Sequence, residues 1–194
     1  MRLQNGPSTD LLHQGCGPAE IFSEASRFIT EGCSVLDLGC GLGLLTDHLP
    51  SGRISYQGID SCSESIFRCR SRYGTRSDFR FDIGDIMTLD FGPPAYEAVA
   101  LLNVLHLPGL DPATLLRKSY RALKPGGRLI VSGPTKADLQ YSTAPLQGHP
   151  EGQRGYYCSA EGMEALAKLV GFPHTVMARP DFRNGEAYLV VVQK

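Results

Sequence analysis

The strongest constraint on this chain is a short apolar run, Val35-Leu36-Asp37-Leu38, that breaks directly into Gly39-Cys40-Gly41-Leu42-Gly43 and then into Leu44-Leu45-Thr46-Asp47-His48-Leu49. An apolar run of strand length followed by closely spaced glycines and a helical segment predicts strand, tight loop and helix. Glycines without Cβ let the backbone of such a loop approach a ligand closely, and a following helix N-terminus favours a negative group. The same alternation recurs. Residues 54–59 form a second apolar run ending at Asp60, and Ser61-Cys62-Ser63-Glu64 has capping-box spacing ahead of a helix through Ile66, Phe67 and Arg70. Phe79, Phe81 and Ile83 alternate into Gly84-Asp85, residues 98–102 read as a buried fourth strand, and Asp111-Pro112 opens a helix. That helix runs to Leu123, where Lys124-Pro125-Gly126-Gly127 turns the chain into a fifth strand over residues 128–132.

Residues 19–31 precede this series with apolar side chains at helical spacing, opened by Pro18 and closed by Gly32. After it, residues 134–157 are rich in Gly, Pro, Gln and Ser without period, which marks a lid or substrate loop. Ser159 caps a helix to Val170, and residues 174–180 and 187–192 pair across Asn184-Gly185. The expected fold is α/β: a Rossmann-like, mostly parallel seven-stranded sheet with helices on both faces and a C-terminal antiparallel hairpin. Residues 1–194 are expected to form a single domain, with 1–18 as an N-terminal extension. Ligands of such sheets bind beyond the carboxyl ends of the strands.

Composition narrows the function. Lys+Arg 19 against Asp+Glu 20 leaves a formal net charge of −1, so no overall field draws in nucleic acid or anionic lipid. Arg68, Arg70, Arg72, Arg76 and Arg80 form the one basic cluster and read as a solvated face. The longest apolar run, residues 187–192, falls far short of the roughly 20 needed to span a membrane, and residues 1–7 lack a signal-type apolar stretch, so the cytoplasm is expected. The six cysteines have no C-x-x-C pair or finger spacing, so reduced thiols and no metal are expected.

The glycine loop lacks the dinucleotide fingerprint's third glycine, whose place is taken by Leu44. Together, Val35 through Gly43, the acidic Asp60, Gly84-Asp85-Ile86, Asn103-Val104-Leu105-His106 and Leu123-Lys124-Pro125-Gly126-Gly127 resemble the class I S-adenosylmethionine-dependent methyltransferases, from about Ala19 to the C-terminus. The resemblance implies S-adenosyl-L-methionine as cofactor. It implies that Gly39, Cys40, Gly41 and Gly43 hold the methionine part with support from Asp37, and that Asp60 holds the ribose, with Ser61 beside it. It further implies that Asp85 and Ile86 hold the adenine between Cys62 and Leu105, and that Asn103 to His106 line the wall near the sulfonium. His106 is the candidate base, needed only for an acceptor that arrives protonated. His13, Gln14, Tyr141, His149, Tyr156 and Tyr157 are candidates to complete the acceptor pocket. The expected partner is a small-molecule methyl acceptor, with no nucleic acid or membrane. The rival readings are an RNA or protein methyltransferase, a cofactor-binding scaffold without activity, and a cofactor-assisted step that transfers no methyl.

Overall fold

The computed structural model describes residues 18–50, 52–135, 158–182 and 187–194. The chain forms α1 (Pro18–Ser26), β1 (Ser34–Leu38), a 3-10 helix (Leu44–His48), β2 (Ser55–Asp60), α2 (Ser63–Tyr73), β3 (Phe79–Ile83) and β4 (Tyr96–Leu102). It continues through α3 (Pro112–Ala122), β5 (Leu123–Pro134), α4 (Ala160–Leu169), β6 (His174–Phe182) and β7 (Ala187–Gln193). The seven strands make one sheet in the order β3-β2-β1-β4-β5-β7-β6. β1 to β5 pair in parallel, and β7 runs antiparallel between β5 and β6. This is the expected Rossmann-like architecture with its terminal hairpin.

Alternation along each strand divides the apolar side chains between two covered faces. Leu36, Leu38, Val99, Leu101, Leu129 and Val131 pack with Leu115 and Leu116 of α3 and Met163 and Ala167 of α4. Val35, Tyr56, Phe81, Ala98, Ala100 and Ile130 pack with Ile21 and Ala25 of α1 and Ile66 and Cys69 of α2. The central strands β1 and β4 read as near-continuous apolar runs because both faces are buried.

Several local expectations are corrected. α1 ends at Ser26, so Phe28 and Ile29 lie beyond it, although Ile29 is still buried. The segment after the glycine loop forms one 3-10 helix of 5 residues. Ser61 does not cap α2: the helix starts at Ser63 with Cys62 as its N-cap and no side-chain cap bond, while Asp60 Oδ1 accepts from the Cys62 N–H at 2.8 Å. β5 begins at Leu123, so Lys124 to Gly127 form an irregularity within the β4–β5 ladder, where the register shifts between Tyr96 and Ala98. Residues 136–157, which hold nearly all of the expected lid, and the Asn184-Gly185 turn lie outside the described residues. The α3 cap is as read: Asp111 accepts from the Ala113 and Thr114 N–H groups with Pro112 behind it. Replacing Asp111 by Ala should cost about 1 kcal/mol in a urea unfolding titration, without a change in the slope of the transition.

Candidate functional site

Parallel pairing places the exits of β1, β2, β3 and β4 on one edge of the sheet, and backbone bonds tie those exits together. The Ile59 carbonyl accepts from the N–H groups of both Gly39, at 2.8 Å, and Cys40, at 3.1 Å, fixing the glycine loop to the end of β2. The Gly84 N–H donates to the Asp60 carbonyl at 2.9 Å, which ties the exit of β3 to that of β2. The Asn103 N–H donates to the Ser132 carbonyl at 3.0 Å, holding the end of β4 against β5. Asn103 is the one non-glycine residue with positive φ, 56°, among the described residues. That conformation is uncommon for a side chain with a Cβ, and it is tolerated best by Asn and Asp.

Two glycines in the loop have different reasons to be there. At Gly39, φ is 74°, and a Cβ would stand 2.6 Å from Val104 Cγ2, so the loop is pressed against the chain leaving β4. At Gly41, φ is 52°, and a Cβ would meet no atom within 4 Å, so this part of the loop faces open space that a ligand could enter. The Gly41 N–H is held by Asp60 Oδ2 at 2.8 Å. Asp60 therefore bridges the glycine loop and the start of α2 with one backbone N–H on each oxygen. A carboxylate offers about four acceptor sites, so each oxygen keeps one for a pair of vicinal hydroxyls.

Asp85 is exposed, and its Oδ1 accepts from the Met87 N–H at 2.8 Å in the turn that brings Ile86 into the core. The carbonyls of Ile86 and Met87 both accept from Lys118 Nζ, at 2.6 and 2.8 Å, so α3 anchors this turn from behind. Sequence reading missed Lys118, because nothing in α3 signals a bond across more than thirty positions. Cys62 is exposed, whereas Leu105 is 1% exposed and buries its side chain in the core with Ile86, Val104 and Leu115.

Asp37 lies beneath the loop at 3% exposure, and its Oδ2 accepts from the Tyr56 hydroxyl at 2.6 Å. Burial pushes the carboxyl up to about 7, the Tyr56 hydrogen bond opposes that rise, and neighbouring Asp60 adds to it. Cys40 and Cys69 lie in the same layer, with Cys69 Sγ 3.3 Å from the Gly41 carbonyl oxygen. Both thiols donate to that carbonyl, Cys40 at 3.9 Å, and their mutual interaction together with burial pushes the Cys40 thiol up while it lowers Cys69. His106 is half-buried, and burial alone pushes its imidazole down to about 4, so it is neutral at physiological pH. Of the acceptor-side candidates, His13, Gln14, Tyr141, His149, Tyr156 and Tyr157 all lie outside the described residues. Among the described residues, no three His, Cys, Asp or Glu side chains group closely enough to hold a metal ion, and no helix is long and apolar enough to cross a membrane.

Residues 35–127, the segment that carries all four strand exits, match the family model described as a methyltransferase domain. This segment, just under half of the chain, is similar to the class I S-adenosylmethionine-dependent methyltransferases. The chain's sheet order is the one of that fold. The chain is 35% identical over 115 residues to a carboxy-S-adenosyl-L-methionine synthase of Chromohalobacter salexigens, covering 56% of this chain and 42% of that protein. It is 33% identical over 133 residues to a ubiquinone biosynthesis O-methyltransferase of Xylella fastidiosa, covering 66% of this chain and 52% of that protein. The chain therefore spans about half the length of these curated relatives. Among solved structures, it superposes with TM-score 0.75 and 19% identity on a chain from the complex between the Haloferax volcanii Trm112 methyltransferase activator and a methyltransferase, over 91% of this chain and 89% of that one. The cofactor of the family is S-adenosylmethionine. The residues present suit it: an open face at Gly41, spare acceptor sites on Asp60, and one acidic side chain, Asp37, beneath the loop for a cationic ligand.

Gly39→Ala should destabilise the domain by roughly 3 kcal/mol or more, through backbone strain and the clash with Val104, whereas Gly41→Ala should cost about 1 kcal/mol from strain alone, both read by thermal and urea unfolding. The His106 imidazole resonances should hold still in NMR spectra between pH 8 and pH 5.5 and move only towards pH 4. Because its folded value is depressed, the neutral ring adds stability above the unfolded value of about 6.5, and this is lost as pH falls towards 4.

Proposed function

We propose that this chain transfers the methyl group of S-adenosylmethionine to a small-molecule acceptor. The observation that carries the reading is the Asp60 carboxylate, fixed between the Gly41 and Cys62 N–H groups at 2.8 Å each and still able to accept from two hydroxyls. In this reading Asp60 holds the ribose, with the adjacent Ser61 at the same strand end. Gly39, Cys40, Gly41 and Gly43 lie along the amino-acid end over Asp37. Asp85 accepts from the adenine amino group, with the Ile86 backbone and Cys62 flanking the ring, and Asn103 to His106 form the wall beside the reacting atom.

The cofactor, when bound, supplies a methyl group already activated by a sulfonium. The chain's own residues then need only align the acceptor and keep water out, which such sparse polar chemistry at the strand ends can do. His106 meets the requirement for a dry, neutral wall better than that for a base, since a ring that titrates near 4 takes protons weakly. The acceptor class this favours is one already deprotonated near neutral pH, such as a thiolate, an acidic phenolate or an enolate.

Charge supports a small acceptor. The arginines of the one basic cluster are largely neutralised locally: Arg68 by Glu64, Arg72 by Asp47, Arg76 by Asp78, and Arg80 by Asp82, which Arg70 shares at 3.9 Å. The ubiquinone-pathway relative, named as an O-methyltransferase, points the same way. A second reading has one observation in its favour. The relative named as a carboxy-S-adenosyl-L-methionine synthase is one whose product is a modified cofactor, so a step other than methyl transfer to a separate acceptor is the alternative here.

The test is turnover. Incubation of the protein with S-adenosylmethionine and a pool of small thiols, phenols and carbon acids should yield S-adenosylhomocysteine together with a product heavier by one methylene. A product without S-adenosylhomocysteine would favour the second reading, and turnover only with RNA or protein would replace the small-molecule acceptor. Cofactor binding without turnover on any acceptor would make the chain a scaffold. In titration calorimetry, Asp60→Ala should weaken S-adenosylhomocysteine binding by about 10- to 100-fold for each ribose hydroxyl that no longer finds an acceptor.

A further inference from the structure

Tyr56 lies four positions before the ribose candidate Asp60 and looks like an ordinary core residue, at 1% exposure between Phe79 and Phe81. Its hydroxyl is the exception in that apolar layer, and its partner is the carboxylate of Asp37, two positions before the glycine loop. We propose that Tyr56 is a positioning residue of the cofactor site: its hydroxyl fixes the Asp37 carboxyl beneath the glycine loop and favours its charged form, so that a cationic ligand arriving on the loop expels a proton. The proposal rests on the reading of the glycine loop as the seat of the ligand's amino-acid end.

The geometry defines both states. Tyr56 donates into Oδ2, which leaves Oδ1 to carry the acidic proton when Asp37 is neutral. The groups that face this carboxyl from each side are of one kind. β2 contributes Tyr56 and Asp60, the loop contributes Cys40, and α2 contributes Cys69; β4 and α1 present Ala98, Ala100, Ile21 and Ala25 to this layer. Arg72 acts on Cys69 but is engaged by Asp47. Without a ligand, then, a buried carboxylate here would face a second carboxylate and, among the described residues, no compensating cation, and protonation relieves it. A ligand with an ammonium and a sulfonium group supplies the missing positive charge. Asp37 then loses its Oδ1 proton to solvent, and the Tyr56 hydrogen bond steadies the carboxylate that remains. No other bond forms or breaks.

Asp37 titrates at about 7 in the free protein, above its ordinary value of 3.8, so below pH 7 most free molecules carry the extra proton and must release it on binding. Removing the Tyr56 hydroxyl removes an influence that lowers this value, so the midpoint moves upward.

The experiment is titration calorimetry of S-adenosylmethionine and S-adenosylhomocysteine into the full chain, in phosphate and in Tris, from pH 6 to pH 8.5. The difference between buffers counts protons released. Wild type should release close to one proton at the low end and none at the high end, with a midpoint at about 7. Tyr56→Phe keeps the ring and the packing. It should bind roughly fivefold more weakly at pH 7, approach wild type at pH 8.5, and show its release midpoint about one pH unit higher. Asp37→Asn should show no release dependent on pH in this range. A Tyr56→Phe variant with wild-type affinity and proton count at every pH overturns the proposal, because a purely structural role would leave the midpoint where it is. Should neither ligand bind wild type, the assignment of the loop fails instead, and the clamp is read in the free protein from the infrared carbonyl band of a protonated carboxyl. That band should be present at pH 6, missing in Asp37→Asn, and persist to higher pH in Tyr56→Phe. Its absence from wild type overturns the clamp on its own.

Discussion

The parallel ladder of β1 with β2 on one side and β4 on the other is the constraint on which the site depends. A parallel pair cannot be closed by a tight turn, so each strand must leave at the same edge and return over a face of the sheet. Four successive exits are thereby gathered on one edge: the glycine loop, Asp60, the Gly84-Asp85 turn and Asn103. The helices that return the chain cover both faces, and that is why the central strands carry so little alternation and so few polar residues.

Within that frame, polar groups hold polar groups. Ile59 and Asp60 between them take four backbone N–H groups from neighbouring exits, those of Gly39, Cys40, Gly41 and Gly84, and Asp60 takes a fifth from Cys62. The loop is therefore preorganised, and little ordering is left for a ligand to impose. Asp37 is different, since it is buried where a charge is costly, and among the described residues the Tyr56 hydroxyl is its close donor. A group that is expensive to ionise alone and inexpensive to ionise beside a cation is suited to a family whose cofactor carries positive charge.

The C-terminal hairpin completes the sheet without contributing to these exits. β7 inserts antiparallel between β5 and β6, with Ala187, Tyr188, Leu189, Val190, Val191 and Val192 all buried. Both faces of β7 are covered, so a residue on either parity is apolar. Its burial ties the far half of the sheet to α4 through Met163, Ala167 and Phe172.

Sequence alone determined the strand and helix order, the two-faced burial and the residues at each exit, because these depend on local periodicity, turn residues and caps such as Asp111 and Ser159. It also carried the family, through motifs whose spacing is set by one β/α step each. Where local signals competed with tertiary ones, it erred. Ser61 had the spacing of a capping residue, yet the helix starts one residue later with Cys62 as its N-cap, and the segment after Gly43 had helical composition yet formed only a short 3-10 helix. Only the tertiary structure decided which distant groups meet: Tyr56 with Asp37, Cys69 with the Gly41 carbonyl, Lys118 with the carbonyls of Ile86 and Met87. The charge states of Asp37 and His106 belong to this second class as well. Desolvation depends on what the folded chain wraps around a group, and no spacing along the sequence encodes that.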